Sequence, residues 1–337
     1  MFLVRALLTL AALAAAAIVT WPQAVGLQTA PIVGQLVAVR AWVALGAVAV
    51  IIVLSLLRFI PGFKKLTGSI AFVLVLAAIA NAGILAWRGF TGTPMAASGT
   101  AITVLEWNTE GENVSATTIA KLALEAHADI VTLPETTEEL GEAVAVAMKA
   151  GGSPMWSSTV AFDSDYKSHS TTILLSPNLG EYTITSYSGS GPPLNTNTAP
   201  TVVAKPVDGS GPIIIAVHAV SPREGQMGNW RSDLSWLASQ CASSNVIMAG
   251  DFNSTVDNMA GLGTNGGHLG NCIDAGVAAN GAGIGTWPTQ IPALIGSPID
   301  HVLATKNYQV TGFSVPSDYD SAGSDHRPLI TQLQQKD

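Results

Sequence analysis

Three long apolar runs open the chain, from about Leu3 to Trp21, Leu36 to Leu57 and Ile70 to Trp87. At ~1.5 Å per residue each can cross a hydrocarbon core of ~30 Å, so each predicts a membrane-spanning helix. Past residue 100 the pattern changes to short β-branched runs bounded by polar and turn-forming residues: AITVLEW, ADIVTLP, STTILLS, YTITSY, PTVVAKP, PIIIAVHA, NVIMAGD, IDHVLAT, YQVTGFSV and RPLITQL. These predict strands. Helical spacing interrupts them at Ser115 to Ala126, where Ser115 can cap and Ile119, Leu122 and Leu124 supply apolar positions. It recurs at Gly225 to Gln240, with Trp230, Leu234 and Leu237 on one face. Many strands with a few helices outside them predict two packed, mostly antiparallel sheets flanked by helices.

The segment 91–100, TGTPMAASGT, reads as a linker. The chain therefore divides into a three-span region at 1–90, that linker, and a single domain at 101–337 with no internal repeat. The Gly-rich stretch 260–285 has neither period and reads as a long loop.

Charge sharpens the division. Residues 1–100 contain no Asp or Glu and six basic residues, Arg5, Arg40, Arg58, Lys64, Lys65 and Arg88, whereas the remainder holds all 23 acids. Arg58, Lys64 and Lys65 cluster in the RFIPGFKK loop, and the WPQAVGLQTAPIVGQ loop has no charge. Basic short loops stay cytoplasmic, so the chain is expected in the plasma membrane with the later domain extracytoplasmic. Arg40 and Arg88, near the opposite ends of the spans, would then have to snorkel. A cleaved leader is the rival reading of the first run, and the other two runs act as spans in either case. Cys241 and Cys272 are the two cysteines. An oxidising compartment permits a disulfide between them; two buried thiols is the alternative.

Several strand runs end in a polar residue: VLEWN at Asn108, IVTLPE at Glu135, IIIAVH at His218, and VIMAGDFN at Asp251 and Asn253. SPIDHVL begins with Asp300, and AGSDHRPLI contains Asp325 and His326. Carboxylates, amides and imidazoles at the ends of apolar runs are costly to bury unless they meet a metal or one another. Each has a bland reading. Asp251 could serve as a turn residue and Glu135 as a cap for the TTEELGEAV helix. His301, next to Asp300 in a strand, should face the other way and be structural. His127, His169 and His268 lack motif context, although His169 precedes a strand.

The order of these motifs, above all AGDFN, IDHVL and SDH with VHAVSP in support, resembles the endonuclease/exonuclease/phosphatase superfamily typified by pancreatic DNase I, from about Ile102 to the C-terminus. The three spans and GTWP look most like its membrane-bound branch, which includes the teicoplanin-resistance membrane protein of actinomycetes. The resemblance implies a DNase I-like four-layer sandwich and a metal-dependent hydrolase of phosphate esters. Glu135 and Asp325, with Asn108, would hold Mg²⁺ or Mn²⁺. Asp251 would orient or deprotonate water, and Asn253 would hold phosphate or that water. Asp300 would fix the tautomer of His326, whose imidazolium would bind the phosphoryl oxygen, and His218 would contact phosphate from the other side. Pro134 departs from the pattern, because many members carry Gln there. Substrate contacts are expected from Trp287, Arg231, His169 and Lys167, with Arg223 a further cation.

An acidic domain with few cations near its motifs argues against nucleic acid, whose binding normally draws on a basic groove. A nuclease is therefore the second reading, and a non-catalytic binding domain, with no motif residue missing, the third. Spans that hold the domain at a bilayer favour a lipid-linked or envelope phosphate. So do the apolar residues Met259, Leu262, Trp287, Ile291, Leu294 and Ile295 near the motifs. The bilayer and such a substrate are the expected partners; nothing in the sequence points to a protein partner.

Overall fold

The computed structural model describes residues 2–60, 64–95, 101–162, 165–185 and 199–336. Parts of three segments read from the sequence lie outside them: the middle of the RFIPGFKK loop, residues 96–100, and the end of YTITSY.

Among the described residues, three helices are long and apolar enough to cross a membrane: α1 (Phe2–Thr20), α3 (Arg40–Leu57) and α4 (Lys64–Arg88). A short helix, α2 (Val33–Ala38), lies between the first two. α4 packs against both α1 and α3.

Twelve strands form two six-stranded sheets among the described residues. The first has the order β11 (Tyr308–Ser314), β12 (Leu329–Gln335), β1 (Ile102–Glu106), β2 (Ile130–Pro134), β4 (Ser170–Leu175), β3 (Trp156–Ala161). The second runs β5 (Tyr182–Thr185), β6 (Val202–Pro206), β7 (Ile213–His218), β8 (Val246–Asp251), β10 (Asp300–Thr305), β9 (Cys272–Asp274). Each sheet holds one parallel pair, β1–β2 and β7–β8, among antiparallel neighbours.

Side chains alternate across each strand, so Val104, Ile130, Ile173, Ile214, Ile247 and Val302 meet between the sheets. The intervening residues face helices. Leu105, Val131 and Leu174 pack on α5 (Ala116–Glu125) and α6 (Glu138–Ala150), and Ile215 and Met248 on α7 (Met227–Gln240). Strands buried on both faces read as unbroken apolar runs, which is why the central ones were legible. α5 begins where expected, with Ser115 Oγ accepting from Thr118 N at 3.2 Å. Trp230, Leu234 and Leu237 of α7 are all buried.

β3 and β9 went unread because both are edge strands, and β3 is only partly buried along most of its length. β9 also corrects the reading of 260–285 as a loop. That stretch contains β9 and the short helix α8 (Ala275–Ala278), with Cys272 in a disulfide to Cys241 at a Cα–Cα distance of 5.8 Å.

Arg40 and Arg88 do not snorkel. Arg40 Nε lies 2.9 Å and Arg88 Nη2 2.5 Å from the two oxygens of Asp257, and Arg40 Nη1 donates to Thr20 O and Asn81 Oδ1 at 2.9 Å. Asp257 and Arg40 are both buried. Removing one partner of such a pair leaves an uncompensated charge, so it locks the apolar helices onto the β-sandwich. Thr91 N and Gly92 N also bond Asn280 O, and Thr93 pairs with Phe313, so the first residues of the expected linker are tied down.

Candidate active site

Register brings the motif residues together. β7 pairs with β8 so that His218 lies beside Asp251, and β8 pairs with β10 so that Asp251 lies beside Asp300. β1 and β2 of the other sheet end at the same rim and lead into Asn108 and Glu135, while Asp325 and His326 precede β12. The parallel β7–β8 approach leaves no room at Gly250, where a Cβ would strike the Val217 carbonyl.

Asp300 holds His326, its two oxygens 3.0 and 2.9 Å from Nδ1. Nε2 of the same ring is then aimed at Asp251 Oδ2 (3.9 Å) and Asp325 Oδ1 (3.8 Å). Burial opposes charge on His326, but Asp300 first, then Asp251 and Asp325, outweigh it and raise the imidazole to about 10. The ring is a fixed cation at neutral pH. His218 is the opposite case. Burial, reinforced by His326, lowers it to about 3, so it is neutral, with Nε2 3.8 Å from Glu135 Oε1 and Nδ1 without a hydrogen-bond partner.

Asp251 accepts from Asn253 N at 2.7 Å, and from Asn253 Nδ2 and Asn108 Nδ2 at 3.1 Å. Burial and then the Asp300 charge push it up to about 7, which suits a proton acceptor near neutrality. Asn253 Nδ2 also reaches Ala219 O at 2.9 Å. Asn253 and Glu135 both adopt left-handed backbone (φ 47° and 57°), a conformation unusual for Glu and often found at functional sites. Thr109 Oγ1 holds the Glu135 carbonyl at 2.8 Å.

The expected cation ligands converge. Burial raises Glu135, Asn108 and His326 counteract that, and the Asp325 and Glu110 charges add to it. Carboxylates crowded against one another are relieved by a divalent cation, and an all-oxygen set suits Mg²⁺ or Mn²⁺. Asn108 turns its nitrogen towards Glu135 Oε1 (3.4 Å) while its oxygen accepts from Glu110 N, so it could ligate through oxygen only after rotating. Asp251, Asp300 and His326 also offer ligating atoms within 4.8 Å of one another. Both Asp300 oxygens already face His326 Nδ1, so that trio is accounted for by hydrogen bonding.

The consecutive polar residues at 324–327 divide the labour. Ser324 Oγ donates to Asn108 O and accepts from His326 N, tying β1 to the loop. Asp325 N donates to Glu110, and Asp325 Oδ2 accepts from Trp287 Nε1 at 2.7 Å. Arg327 is fully buried and donates to the carbonyls of Gly285, Pro288, Thr289 and Ile291, fixing the loop that carries Trp287.

Trp287, His169 and Arg223 line the same cavity as Glu135, Asp251 and His326. Lys167 and Arg231 are placed elsewhere: Lys167 pairs with Glu112 at 2.7 Å, and Arg231 donates to Thr29 O. Glu106 was missed. It is fully buried beneath the site, neither carboxylate oxygen has a hydrogen-bond partner, and burial followed by the Asp300 and Asp251 charges raises it well above the usual range, favouring the protonated acid. The available signal was strand alternation, which puts Glu106 on the same face as Asn108.

His301 faces away, as its position after Asp300 implied. Nδ1 meets Asp274 Oδ2 and Nε2 meets Ser254 O, both at 2.7 Å. Burial works against the charged ring, and Asp274 overcomes it, so His301 is raised above ~6.5. Its stabilising contribution is complete below ~6.5 and fades as pH rises through the raised value. Asp274→Asn should therefore cost ~3–5 kcal/mol at mildly acidic pH and less at alkaline pH. Unfolding curves at the two pH values check this, and a pH-independent cost would contradict it.

A model of the Endonuclease/Exonuclease/phosphatase family matches residues 105–326. No curated protein matches the sequence. Among solved structures, an endonuclease/exonuclease/phosphatase from Beutenbergia cavernae is 18% identical at a TM-score of 0.52, covering 70% of this chain and 72% of its own. A humanized D. rerio TDP2 is 18% identical at 0.53, covering 70% and 99%. TDP2 from Caenorhabditis elegans is 14% identical at 0.52, covering 83% and 87%. Likeness at this identity shows the fold.

Proposed function

Because the chain belongs to the endonuclease/exonuclease/phosphatase family, we propose that it is a divalent-metal-dependent phosphohydrolase, anchored in the plasma membrane by α1, α3 and α4, that cleaves a lipid-linked or cell-envelope phosphate ester on the extracytoplasmic side. The observation that carries the chemistry is the His326–Asp300 pair aimed at Asp251 across the cavity from Glu135. Asp251 takes the proton of the attacking water as its oxygen bonds to phosphorus and the bond to the leaving oxygen breaks. Asn253 steadies Asp251 and can donate to phosphate. The His326 cation faces the oxygen that gains charge, and neutral His218 can donate from the other side. A bound Mg²⁺ or Mn²⁺, held by Glu135, Asp325 and a rotated Asn108, supplies Lewis-acid stabilisation of the phosphoryl oxygens.

Support for the membrane reading comes from the apolar side chains of α1, α3 and α4, most of which are exposed, a surface suited to lipid rather than water. Three apolar spans ahead of this fold are the feature by which the chain resembles the membrane-bound branch of the family. Orientation follows from Lys64 and Lys65, which are exposed, against Arg40 and Arg88, whose charges Asp257 neutralises and which therefore do not weigh against a cytoplasmic basic loop. A single cysteine introduced at exposed Ser210 should react with an impermeant reagent on intact cells, and one at Lys65 only after permeabilisation. The reverse pattern would place the site in the cytoplasm.

The reaction is tested by assaying the full chain with Mg²⁺ or Mn²⁺ against lipid phosphates, polyprenyl diphosphates and DNA in parallel. Turnover of lipid phosphates is expected. Turnover of DNA alone would make the chain a nuclease, and turnover of none of the three would overturn the enzyme reading.

A further inference from the structure

The β-sandwich alone does not enclose the catalytic cavity, which has a volume of about 580 Å³. Gln35, Ala38 and Val39, from the segment joining the first two apolar helices, line it together with Glu135, Asp251 and His326. That segment is built in. Gln35 Nε2 donates to Pro222 O at 2.6 Å, and Ser297 Oγ donates to the Ala38 carbonyl at 2.8 Å. Asn258 Nδ2 holds the carbonyls of Gln28 and Gly34 at 3.0 Å, and Gly34 lies against the Trp230 ring, which a Cβ there would meet at 3.4 Å in ordinary contact. The buried Arg40–Asp257 pair follows directly in sequence.

The cavity also sits at a definable level. Thr20, Arg40 and Arg88 are joined through Arg40 and Asp257, so the ends of α1, α3 and α4 that carry Trp21, Trp42 and Trp87 all face the sandwich. These three tryptophans are 55%, 46% and 70% exposed. Indoles so placed mark the headgroup layer of a bilayer. The turn at 293–295, in the loop that carries Trp287, packs against α3 and exposes Leu294 there. The catalytic cavity thus has one wall made by the segment between the first two apolar helices, at the end of the helices that carries the three tryptophans.

Building on the phosphohydrolase reading, we propose that residues 35–39 form a specificity-determining wall of the active site, and that the substrate is a membrane lipid whose phosphate enters the cavity while its hydrocarbon tail stays in the bilayer. Val39, Ala38 and Trp287 offer apolar contact to the first carbons beyond the phosphate, from which a lipid's chain continues to the bilayer and a short soluble ester's does not. A cavity of this size holds a headgroup and not a whole lipid.

The test uses the full chain in phosphatidylcholine vesicles with Mg²⁺. Its substrates are phosphatidate, phosphatidylglycerol and farnesyl diphosphate as membrane-borne monoester, diester and diphosphate, and bis(p-nitrophenyl) phosphate and p-nitrophenyl phosphate as soluble esters. Ala38→Leu should lower the ratio of kcat/KM on the preferred lipid to that on the soluble ester by ~10-fold or more, the range by which added methylenes alter a pocket's discrimination. Equal losses on both substrates, or no loss on either, would overturn the wall assignment. As a readout independent of this variant's folding, an analogue of the preferred lipid that carries its photoactivatable group on the carbons next to the phosphate should label the wild-type chain within 35–39. Labelling confined to α1, α3 and α4 would also overturn the proposal. If wild type hydrolyses the soluble esters but no lipid, the inference fails and the phosphohydrolase reading stands; if it hydrolyses neither, both fail.

Discussion

Asp251→Asn in the full chain should lower turnover by about 10²–10⁴-fold, the usual cost of losing a positioned base, with thermal unfolding changed far less. Asn retains at Oδ1 an acceptor for Asn253 N, which Asp251 binds at 2.7 Å, and replaces the proton-accepting Oδ2 by an amide nitrogen, so the Asn253 and Asn108 side-chain amides that donate to Oδ2 must turn. His326→Gln should cause a comparable loss, because it removes the cation that Asp300 holds against the reacting centre. The two losses should not multiply, since His326 Nε2 and Asp251 Oδ2 are 3.9 Å apart and act on one transition state. Exposed His127 is the control, and its replacement by Ala should leave turnover near wild type. Asp251→Asn activity within a few-fold of wild type would remove Asp251 from the mechanism.

Chelation with EDTA should abolish turnover, and Mg²⁺ or Mn²⁺ should restore it. Glu135→Gln is expected to lose at least the ~10–100-fold in metal affinity that even an outer-shell partner contributes. Glu135, Asp325 and Glu110 are the carboxylates left lining the cavity once Asp300 is committed to His326 and Asp251 to Asn253 and Asn108, and Glu110 already accepts from Asp325 N. Glu135→Gln also has a readout apart from activity: the midpoint of a Mn²⁺ titration followed by electron paramagnetic resonance should move to higher concentration. An unmoved midpoint, or full activity after exhaustive chelation, would sink the ligand assignment.

The central strands were legible because both faces are buried, so β-branched runs such as PIIIAVHA stand out without tertiary information. The polar residues ending those runs were legible for a related reason. Burying Asp251 or His218 at a strand end is unfavourable without partners, so their presence signalled a site. β3 lacks such a signal because its exposed edge tolerates WSSTVA as readily as a loop would. Glu106 was concealed by sitting inside an apolar run, where it resembles a strand residue facing solvent until the second sheet is laid over it.

Lys167 and Arg231 show the limit for cations. Side-chain reach exceeds the spacing between motifs, so sequence proximity to a strand end cannot tell a cavity cation from one paired with Glu112 or with the Thr29 carbonyl.

Local patterning determined the apolar helices, the sandwich and most of the cavity's polar residues, because hydrophobic periodicity and the cost of burying charge act within a few residues of chain. Only the tertiary structure decided that Arg40 and Arg88 answer to Asp257, more than 160 residues away, and that Gln35, Ala38 and Val39 stand in the same cavity as His326. Contacts of that range depend on how separately formed elements pack, and packing leaves no period in the sequence.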